Sequence, residues 1–379
     1  MTTKRIIVVT PDDPNDVSGW SGTPYSIYRA LVDNPGDTEI TYVRGALRFL
    51  SLGARAANKL LRKLGITFDC RFSTAYSMLV GTCLTAHLKF VGQGTLLFIA
   101  GSEELAYLRT ERPVIYISDG TFRVVAASYP NFRAFPKWLQ VQGDRNEARS
   151  LSRADFIIYP SRWARDSATD DYGIPGDRIF VLPFGPNIPD HSIKYSPKTI
   201  GAAGDIDLLF ISADWGRKNG DLVLEICRFL MDRGAKVRLT IIGDIPGHAT
   251  RLPFVRSLGF LRKSVARDLA VLCDAFREAH FLVLPTLADA TPIVFSEAQA
   301  FGLPPISYDV GGVGGAISHG RTGLLLPRGA PPQRFAEEIL KYSNDTKLYE
   351  ELSRGTRKHY LQEANWGNWS RLIVELANR

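Results

Sequence analysis

Residues 280–312 have the sequence HFLVLPTLADATPIVFSEAQAFGLPPISYDVGG, and the order of residue types in it predicts the fold. A short apolar run, HFLVLPT, precedes a polar turn, a helix-length segment that starts near Thr291, and a second apolar run, PPISYD. Short buried strands that alternate with helices are typical of parallel βαβ units. The stretch therefore predicts a strand, a helix and a parallel strand of an α/β sheet.

The same alternation extends over the whole chain in two groups. The strand-like runs are RIIVVT, TEITYV, TLLFIAG, PVIYIS, DFIIYPS and RIFVLPFG in the first group, and DLLFIS, VRLTIIG, HFLVLPT and PPISYD in the second. Between the groups, residues 185–205 are rich in Pro, Gly and polar residues, as linkers are. We expect two doubly wound, Rossmann-like domains, residues 1–195 and 196–365, with residues 366–379 as a separate C-terminal element. Ligands of such sheets bind beyond the carboxyl ends of the strands, so two facing sheets would share a cleft there.

Composition limits the function classes. The 379 residues carry a net charge of +7, which suits anionic ligands, nucleic acid or acidic lipid alike. The four cysteines form no C-x-x-C pair, and neither a signal-peptide pattern nor an uncharged apolar run of membrane-spanning length is present. We expect a cytoplasmic protein. The six histidines have no metal-ligand spacing, and P-loop and dinucleotide-binding glycine motifs are missing, so no metal and no cofactor are expected.

Two acids flank the predicted helix start. Thr291 is a candidate N-cap and Pro292 suits the first turn, so the helix would present free N–H groups to a phosphate. Asp289 precedes this helix and Glu297 lies one to two turns inside it. Both carboxylates could accept hydrogen bonds from sugar and ribose hydroxyls. The alternative is that both are solvated surface residues.

Two adjacent cations follow the first strand of the second group. Arg217 and Lys218 lie in DLLFISADWGRKNGDLVLE, residues 207–225, in the turn between a strand and a helix. Cations beyond the carboxyl end of a strand can neutralise a diphosphate in the same cleft. The alternative is an exposed basic turn.

Taken in order and spacing, DWGRKNGDLVLE, LTIIGDIPG, SLGFL, HFLVLPT, ADATPIVFSEAQAFGLPPISYDVGG and SHGRTGLLLP resemble the nucleotide-sugar domain of retaining glycosyltransferase family 4. The N-terminal half matches more loosely, through WSGTPYSIYRAL, PVIYISDGTF and EARSLSRADFIIYPSRWARDS. The resemblance implies the GT-B fold, in which two Rossmann-like domains face a cleft and a C-terminal helix crosses back to the first domain. It also implies a metal-independent, retaining transfer of sugar from a nucleoside diphosphate sugar.

The resemblance assigns roles on the donor side. Glu297 matches the second acid of the family's E-x7-E motif, which binds the donor ribose, and Asp289 replaces the first Glu near the donor sugar. Arg217 and Lys218 match cations that stabilise the leaving diphosphate. The remaining donor-binding positions are the diphosphate loop, the nucleobase site and the glycine loop of the N-terminal half: Thr291, Pro292, Ile293 and Val294; Gly243 and Leu261; and Gly22.

Three positions depart from the family pattern. Asp289 is one methylene shorter than Glu, and Arg217 adjoins Lys218 although many relatives place this arginine several residues earlier. Asp119, in ISDGTF, stands where relatives often carry a His, and a carboxylate cannot donate as an imidazolium does. Asp119 could instead be an ordinary turn residue.

These departures keep alternatives open. The leading hypothesis is a glycosyltransferase that acts on a glycan or lipid-linked acceptor, with no nucleic-acid partner. The competitors are a nucleotide-sugar-binding or scaffold protein of the same fold, and a GT-B sugar phosphorylase.

Residues 46–68, ALRFLSLGARAANKLLRKLGITF, predict a basic amphipathic segment. They mix leucines with arginines and lysines and hold no acid until position 69. Such helices can lie in the headgroup region of anionic membranes, which suggests peripheral contact with the inner membrane face and a lipid-linked acceptor. The alternative is a surface helix with solvated cations.

Overall fold

The computed structural model describes residues 4–11, 13–17, 19–43, 47–65, 67–200 and 205–379, except the side chains of residues 47, 48 and 62. The described residues form two separate, wholly parallel sheets of six strands each. The strands are β1 Lys4–Val9, β2 Thr38–Val43, β3 Thr95–Ile99, β4 Val114–Ile117, β5 Phe156–Tyr159, β6 Ile179–Val181, β7 Asp205–Ser212, β8 Lys236–Gly243, β9 Val255–Ser257, β10 Phe281–Val283, β11 Pro305–Tyr308 and β12 Leu324–Leu326. All ten strand-like runs of the sequence are strands; the three-residue strands β9 and β12 were not predicted.

Helices connect the strands on both faces of each sheet, as parallel pairing requires. They are α1 Thr23–Asp33, α2 Leu47–Lys63, α3 Thr74–Leu88, α4 Ser102–Leu105, α5 Phe122–Ser128, α6 Pro130–Arg133, α7 Lys137–Arg153, α8 Arg162–Asp170, α9 Gly220–Asp232, α10 Gly247–Thr250, α11 Ala266–Glu278, α12 Ile293–Ala300, α13 Val313–Ala316, α14 Pro332–Ser343, α15 Thr346–Gln362 and α16 Trp366–Asn378. Short 3₁₀ helices occupy Gly19–Gly22, Cys70–Phe72, Gly176–Arg178 and Asp190–Ser192. None of the described helices is long and apolar enough to cross a membrane.

The strand order locates a ligand crevice in each sheet. The first sheet runs β2-β1-β3-β4-β5-β6 and the second β12-β11-β10-β7-β8-β9. The direction of winding reverses between β1 and β3 in the first sheet and between β7 and β10 in the second. Open α/β sheets bind ligands at the carboxyl ends of the strands at such a switch point.

Each sheet has its own apolar core, and the chain divides accordingly. The first unit consists of residues Met1–Leu182 and Trp366–Arg379, and the second of Pro183–Asn365. The division falls before residue 195 because residues that follow β6 already join the second core: Ile188 is buried in it, and Ser296 Oγ donates to the carbonyl oxygen of Phe184 at 2.6 Å.

The C-terminal helix α16 returns to the first unit, as predicted. Trp369 is fully buried, and Ser370 Oγ donates to the carbonyl oxygen of Asn34 at 3.0 Å. Lys4 Nζ donates to the carbonyl oxygen of Asn378 at 2.8 Å, which ties the last turn of α16 to the first strand.

Candidate functional site

The cations and the first acid of the predicted donor site meet at the switch point of the second sheet. Arg217 and Lys218 lie in the loop that follows β7, and Asp289 lies in the loop that follows β10. Because β7 and β10 are neighbouring parallel strands, these loops leave the sheet side by side. Residues 71 or 72 positions apart in sequence thus form one cluster.

The cluster is a compact, largely buried set of charges. Lys218 Nζ donates to Asp289 Oδ2, and their side chains are only 12% and 9% exposed. Arg217 Nη1 lies 3.5 Å from the same oxygen, and Arg217 Nε lies 3.2 Å from Asp214 Oδ2. Burial lowers the pKa of Lys218, and the nearby Asp289 carboxylate opposes this effect. The alternative, an exposed basic turn, therefore does not describe Lys218.

Hydrogen bonds to backbone carbonyls hold the loop after β7 against the loop after β10. The Leu287 amide donates to the Arg217 carbonyl at 2.9 Å, and Arg217 Nη1 donates to the Ala288 carbonyl at 2.9 Å. On the other side, the Gly312 amide donates to the Asp289 carbonyl at 3.0 Å. Gly311 has φ +55°, and a Cβ there would lie 2.2 Å from the Asp289 carbonyl oxygen. Gly311 and Gly312, which end the 280–312 stretch, therefore allow the loop after β11 to pack directly against Asp289.

Glu297 is also buried and paired, with a residue that sequence analysis did not identify. It lies in the second turn of α12 with 4% of its side chain exposed, and Lys263 Nζ donates to its Oε1. Lys263 lies in the loop between β9 and α11, and its side chain is 28% exposed. The sequence signal was only a basic pair, Arg262 and Lys263, after a strand that was itself missed.

The start of α12 differs from the prediction by one residue. Pro292 occupies the N-cap position and Ile293 is the first helical residue, whereas Thr291 was expected to be the cap. Thr291 Oγ1 instead donates to the Ala290 carbonyl at 2.7 Å. Thr291, Ile293 and Val294 are half-buried, and Pro292 is buried.

Gly243 and the backbone near Leu261 are neighbours, as a shared nucleobase site requires. The Gly243 amide donates to the Gly259 carbonyl at 2.8 Å, two residues before Leu261. Gly243 has φ +111°, and a Cβ there would lie 1.8 Å from the Ser212 carbonyl oxygen. Only glycine therefore permits the end of β8 to approach the end of β7 so closely.

The predicted residues of the first unit also come together. Gly22, with φ +91°, is the N-cap of α1 after β1, and the preceding Trp20 and Ser21 also have positive φ. Trp20 Nε1 donates to Asp119 Oδ2 at 3.3 Å, which joins this glycine loop to the turn after β4. Non-glycine residues at positive φ are strained and cluster at functional sites.

Within the second unit, the arrangement can bind a diphosphate and hydroxyl groups. Lys218, Arg217 and Lys263 are donors for phosphate oxygens, and Asp289 and Glu297 are acceptors for hydroxyls. Over the described ranges, no group of three or more His, Cys, Asp or Glu side chains is placed to hold a metal ion.

The fold and this site define a class. Structural comparison gives the sucrose-phosphate synthase of Thermosynechococcus elongatus with a TM-score of 0.70 and 14% identity, over 99% of this chain and 98% of the other. A glycosyltransferase from Rickettsia africae gives a TM-score of 0.65 and 12% identity, over 100% and 98%. Anabaena HepE in complex with UDP-glucose gives 0.62 and 16%, over 98% of both chains. The chain therefore has the α/β GT-B fold.

Sequence comparison narrows the class further. Residues 205–345 match the family model described as Glycosyl transferases group 1. A D-inositol 3-phosphate glycosyltransferase from Jonesia denitrificans is 31% identical over 201 residues, which are 50% of this chain and 46% of the relative. One from Paenarthrobacter aurescens is 25% identical over 243 residues, 61% of this chain and 59% of the relative. The matches thus span about half to three-fifths of the length of these relatives, and they support a glycosyltransferase family.

Proposed function

We propose that this protein is a retaining glycosyltransferase that transfers a sugar from a nucleoside diphosphate sugar to a glycan or lipid-linked acceptor. The observation that carries the proposal is the cluster of Arg217, Lys218 and Asp289 at the switch point of the second sheet. The family match over residues 205–345 covers this cluster and Glu297. HepE, whose complex contains UDP-glucose, makes UDP-sugars the first donors to test.

In this mechanism, the protein stabilises the negative charge that develops on the leaving diphosphate. Lys218 and Arg217 would turn donors toward the phosphate oxygens, and the amides at the start of α12 would add their positive dipole end. The arriving phosphates would stabilise the charged form of Lys218, which burial alone disfavours. Asp289 would hold sugar hydroxyls, and Glu297 the ribose hydroxyls. The acceptor would attack the face that the leaving group vacates, and a diphosphate oxygen would take its proton.

The test is product formation from UDP-, GDP- and ADP-sugars, followed as released nucleoside diphosphate. Lys218→Met should lower kcat by about 10²- to 10³-fold, the usual effect of removing one transition-state donor. Lys194→Met, at an exposed lysine of the same unit, is the matched control. Thermal unfolding of both variants separates loss of chemistry from loss of fold. Unchanged turnover in a folded Lys218→Met protein would contradict the assignment.

The retaining and metal-independent parts of the proposal have separate tests. Nuclear magnetic resonance of the first-formed product reports its anomeric configuration, which should equal that of the donor. Activity should persist in excess chelator, because the diphosphate charge would be balanced by Arg217 and Lys218. An inverted product would contradict only the retaining mechanism. A metal requirement would contradict only the metal independence.

The second candidate is a nucleotide-sugar-binding protein without transferase activity. It is favoured by Asp119, which accepts a hydrogen bond from Trp20 and cannot act as an imidazolium donor. Donor binding without slow hydrolysis, and without transfer to acceptors that include phosphorylated inositol, would support this candidate. Phosphate-dependent sugar release without a nucleotide donor would instead indicate a phosphorylase.

Contact with an anionic membrane through α2 is also part of the proposed function. The helix turns large apolar residues outward: Phe49 is 75% exposed, and Leu52, Leu60 and Leu64 are at least half exposed. Toward the protein it buries Ser51, Ala54 and Asn58. Leu50 packs against the core of the first unit, but an ordinary surface helix directs most of its large apolar residues inward. The exposed cations Arg55, Lys59 and Lys63 suit acidic headgroups. Residues 46 and 66, with the side chains of Leu47, Arg48 and Arg62, lie outside the described part of the segment.

Asn58 explains why this face is directed inward. Its Nδ2 donates to Asp69 Oδ1 at 2.6 Å, and its Oδ1 accepts from the Cys70 amide at 3.0 Å. These bonds tie α2 to the following turn, and Leu52, Leu60 and Leu64 remain exposed. The orientation of α2 therefore does not depend on apolar packing alone.

Sedimentation with vesicles that contain phosphatidylglycerol tests the membrane contact. Phe49→Ser/Leu60→Ser should abolish binding, and Arg55→Ser/Lys59→Ser should weaken it most at low salt, since each cation contributes about 1 kcal/mol. Leu361→Ser, at an exposed leucine of the second unit, is the control. Failure of the parent protein to bind at low salt would make a soluble acceptor the better proposal.

A further inference from the structure

A basic cleft opens at the amino-terminal edge of the first sheet. It lies between the starts of β1 and β3 and the segment that leads into β4, and its volume is about 1150 Å³. Six cations line it: Lys4, Arg5, Lys89, Arg109, Arg112 and Arg153. Because parallel strands all point the same way, this edge is opposite to the carboxyl edge that holds Gly22 and Asp119. Within the first unit, the cleft is therefore separate from Gly22 and Asp119.

The charges of the cleft are not balanced by its own acids. Glu111 is the acid among the lining residues, and Glu39 engages Arg5, with 2.6 Å between Oε2 and Nη2. Lys89 and Arg109 are exposed and form no ion pair with the residues that the structure describes. Crowded like charges of this kind raise the local concentration of anions.

Arg112 lines the cleft and is anchored by backbone carbonyls beside it. Its Nη2 donates to the carbonyls of Leu88 and Val91, each at 2.8 Å. Its Nη1 is buried and has no hydrogen-bond partner in the described part of the chain. Burial also lowers the pKa of Arg112, so an anion bound in the cleft that it lines would favour its charged form. A buried donor without a partner costs stability until a ligand or water satisfies it.

Two of the other cations are held by backbone carbonyls. Arg153 Nη1 donates to the Leu108 carbonyl, and Lys4 Nζ donates to the Asn378 carbonyl at 2.8 Å. A Cβ at Gly94 would lie 2.6 Å from the Arg5 carbonyl oxygen, so the loop before β3 packs tightly on Arg5. Lysine and arginine keep further donors when one is used. The cleft is thus preorganised, which lowers the entropy cost of binding.

We propose that this cleft binds a small ligand that carries two or more phosphate groups. Arginine and lysine are the side chains that phosphates prefer, and the volume is that of a small-molecule site rather than a single phosphate. The excess of cations over acids calls for more than one phosphate. Because Asn378 accepts from Lys4 and Ala377 lines the cleft, ligand binding would also engage the end of α16.

Isothermal titration calorimetry of the full chain with inorganic tripolyphosphate tests the proposal. Lys89→Ser/Arg109→Ser should weaken binding at least about tenfold, since two charge-assisted contacts are lost. Both residues are exposed, so the variant should fold, and thermal unfolding checks this. Lys194→Ser/Arg233→Ser, which removes two exposed cations of the second unit, should leave affinity unchanged within about twofold.

Two further arms identify the site and the source of the phosphate. Lys218→Met should leave the cleft affinity unchanged, whereas loss of all binding in that variant would assign tripolyphosphate to the donor site and overturn the proposal. Vesicles that contain phosphatidic acid form the second arm. Vesicle binding that needs Lys89 and Arg109, without tripolyphosphate binding, would show a membrane surface and overturn the small-ligand proposal. Absence of any tripolyphosphate binding at low salt would also overturn the small-ligand proposal.

Discussion

The two units differ in how their buried acidic side chains are accommodated. In the second unit, Asp289 pairs with Lys218 and Glu297 pairs with Lys263. In the first unit, Glu103 and Glu104 follow β3 at the switch point, Glu147 lies on α7, and all three are at least 93% buried. None of these three forms an ion pair within the described ranges. Buried acids are thus paired with cations in the second unit and have no ion pair among the described residues of the first.

Protonation is the physical alternative to pairing. Burial raises the pKa of Glu103, it raises that of Glu104 well above the usual range, and it raises that of Glu147 to about 8. Oε2 of Glu104 and Oε1 of Glu147 are buried without a hydrogen-bond partner in the described residues. The comparison teaches that the two units accommodate buried acids differently, by pairing with lysine in the second unit and without an ion pair among the described residues in the first. Four predictions test this difference.

The largest stability effect should come from breaking the Lys218–Asp289 pair. Lys218→Met leaves a buried carboxylate with Arg217 as its remaining nearby cation, and should cost about 3 kcal/mol of unfolding free energy. Asp289→Asn should cost a similar amount, and the double variant should cost clearly less than the sum. Urea unfolding measures all three. Lys236→Met is the control, because Lys236 and Asp205 form an exposed pair 3.9 Å apart. Additive costs would mean that the two residues do not stabilise each other.

Breaking the Lys263–Glu297 pair should have a smaller effect. Lys263→Met should cost about 2 kcal/mol, because Lys263 is partly exposed and water can reach the site it leaves. Glu297→Gln added to that variant should restore most of the loss by removing the unpaired charge. Arg256→Met, at an exposed pair with Glu278, should have little effect in the same assay. A double variant less stable than Lys263→Met would contradict the pairing argument.

In the first unit, the effect should depend on pH. An acid whose pKa is higher in the folded than in the unfolded protein favours folding at low pH, and this contribution is lost as pH rises from about 4 toward about 8. Glu147→Gln removes the ionisation, so the variant should gain on the parent by about 2 kcal/mol between pH 5 and pH 6.5, where the unfolded parent ionises and the folded parent stays protonated. Glu351→Gln, at an exposed acid, should give a difference that does not change with pH. A constant difference for Glu147→Gln would mean that Glu147 is ionised in the folded protein throughout.

Asp119 should show the smallest stability effect. It is half-buried, and an amide oxygen can accept from Trp20 Nε1 as a carboxylate does. Asp119→Asn should therefore change the unfolding free energy by no more than about 0.5 kcal/mol. A large loss of transfer activity in this stable variant would assign Asp119 a chemical role, and normal activity would make it an ordinary turn residue.

The sequence predicted the framework of the fold well, because parallel strands buried on both faces are nearly continuous apolar runs. It missed β9 and β12, since three-residue edge strands such as VRS carry too little pattern. The positions of Arg217, Lys218 and Asp289 could be predicted from strand ends and from the family resemblance. Their mutual pairing could not, because it depends on which strands are neighbours in the sheet.

The pairing and burial of other charged residues could not be predicted from the sequence either, because they too depend on how the elements pack. Lys263 reaches Glu297 across 34 positions, and no local pattern indicates this pair. Glu103 and Glu104 follow a serine at the start of α4, where acids are normally solvated helix-capping residues. Their burial comes from packing of α4 against α3 and α7, which only the folded structure displays.

Because α16 belongs to the first unit, that unit can be complete only once residues 366–379 have been made. Residues 183–365 form the second unit from one continuous segment, whereas the first unit also needs residues 366–379. Domains usually complete folding on the ribosome in the order in which they are made. Here the later segment can close first, while the earlier one waits for Trp369 to fill its core. Until α16 docks, the surface that it covers on the first unit stays open, so a chain that lacks residues 366–379 would keep that surface exposed.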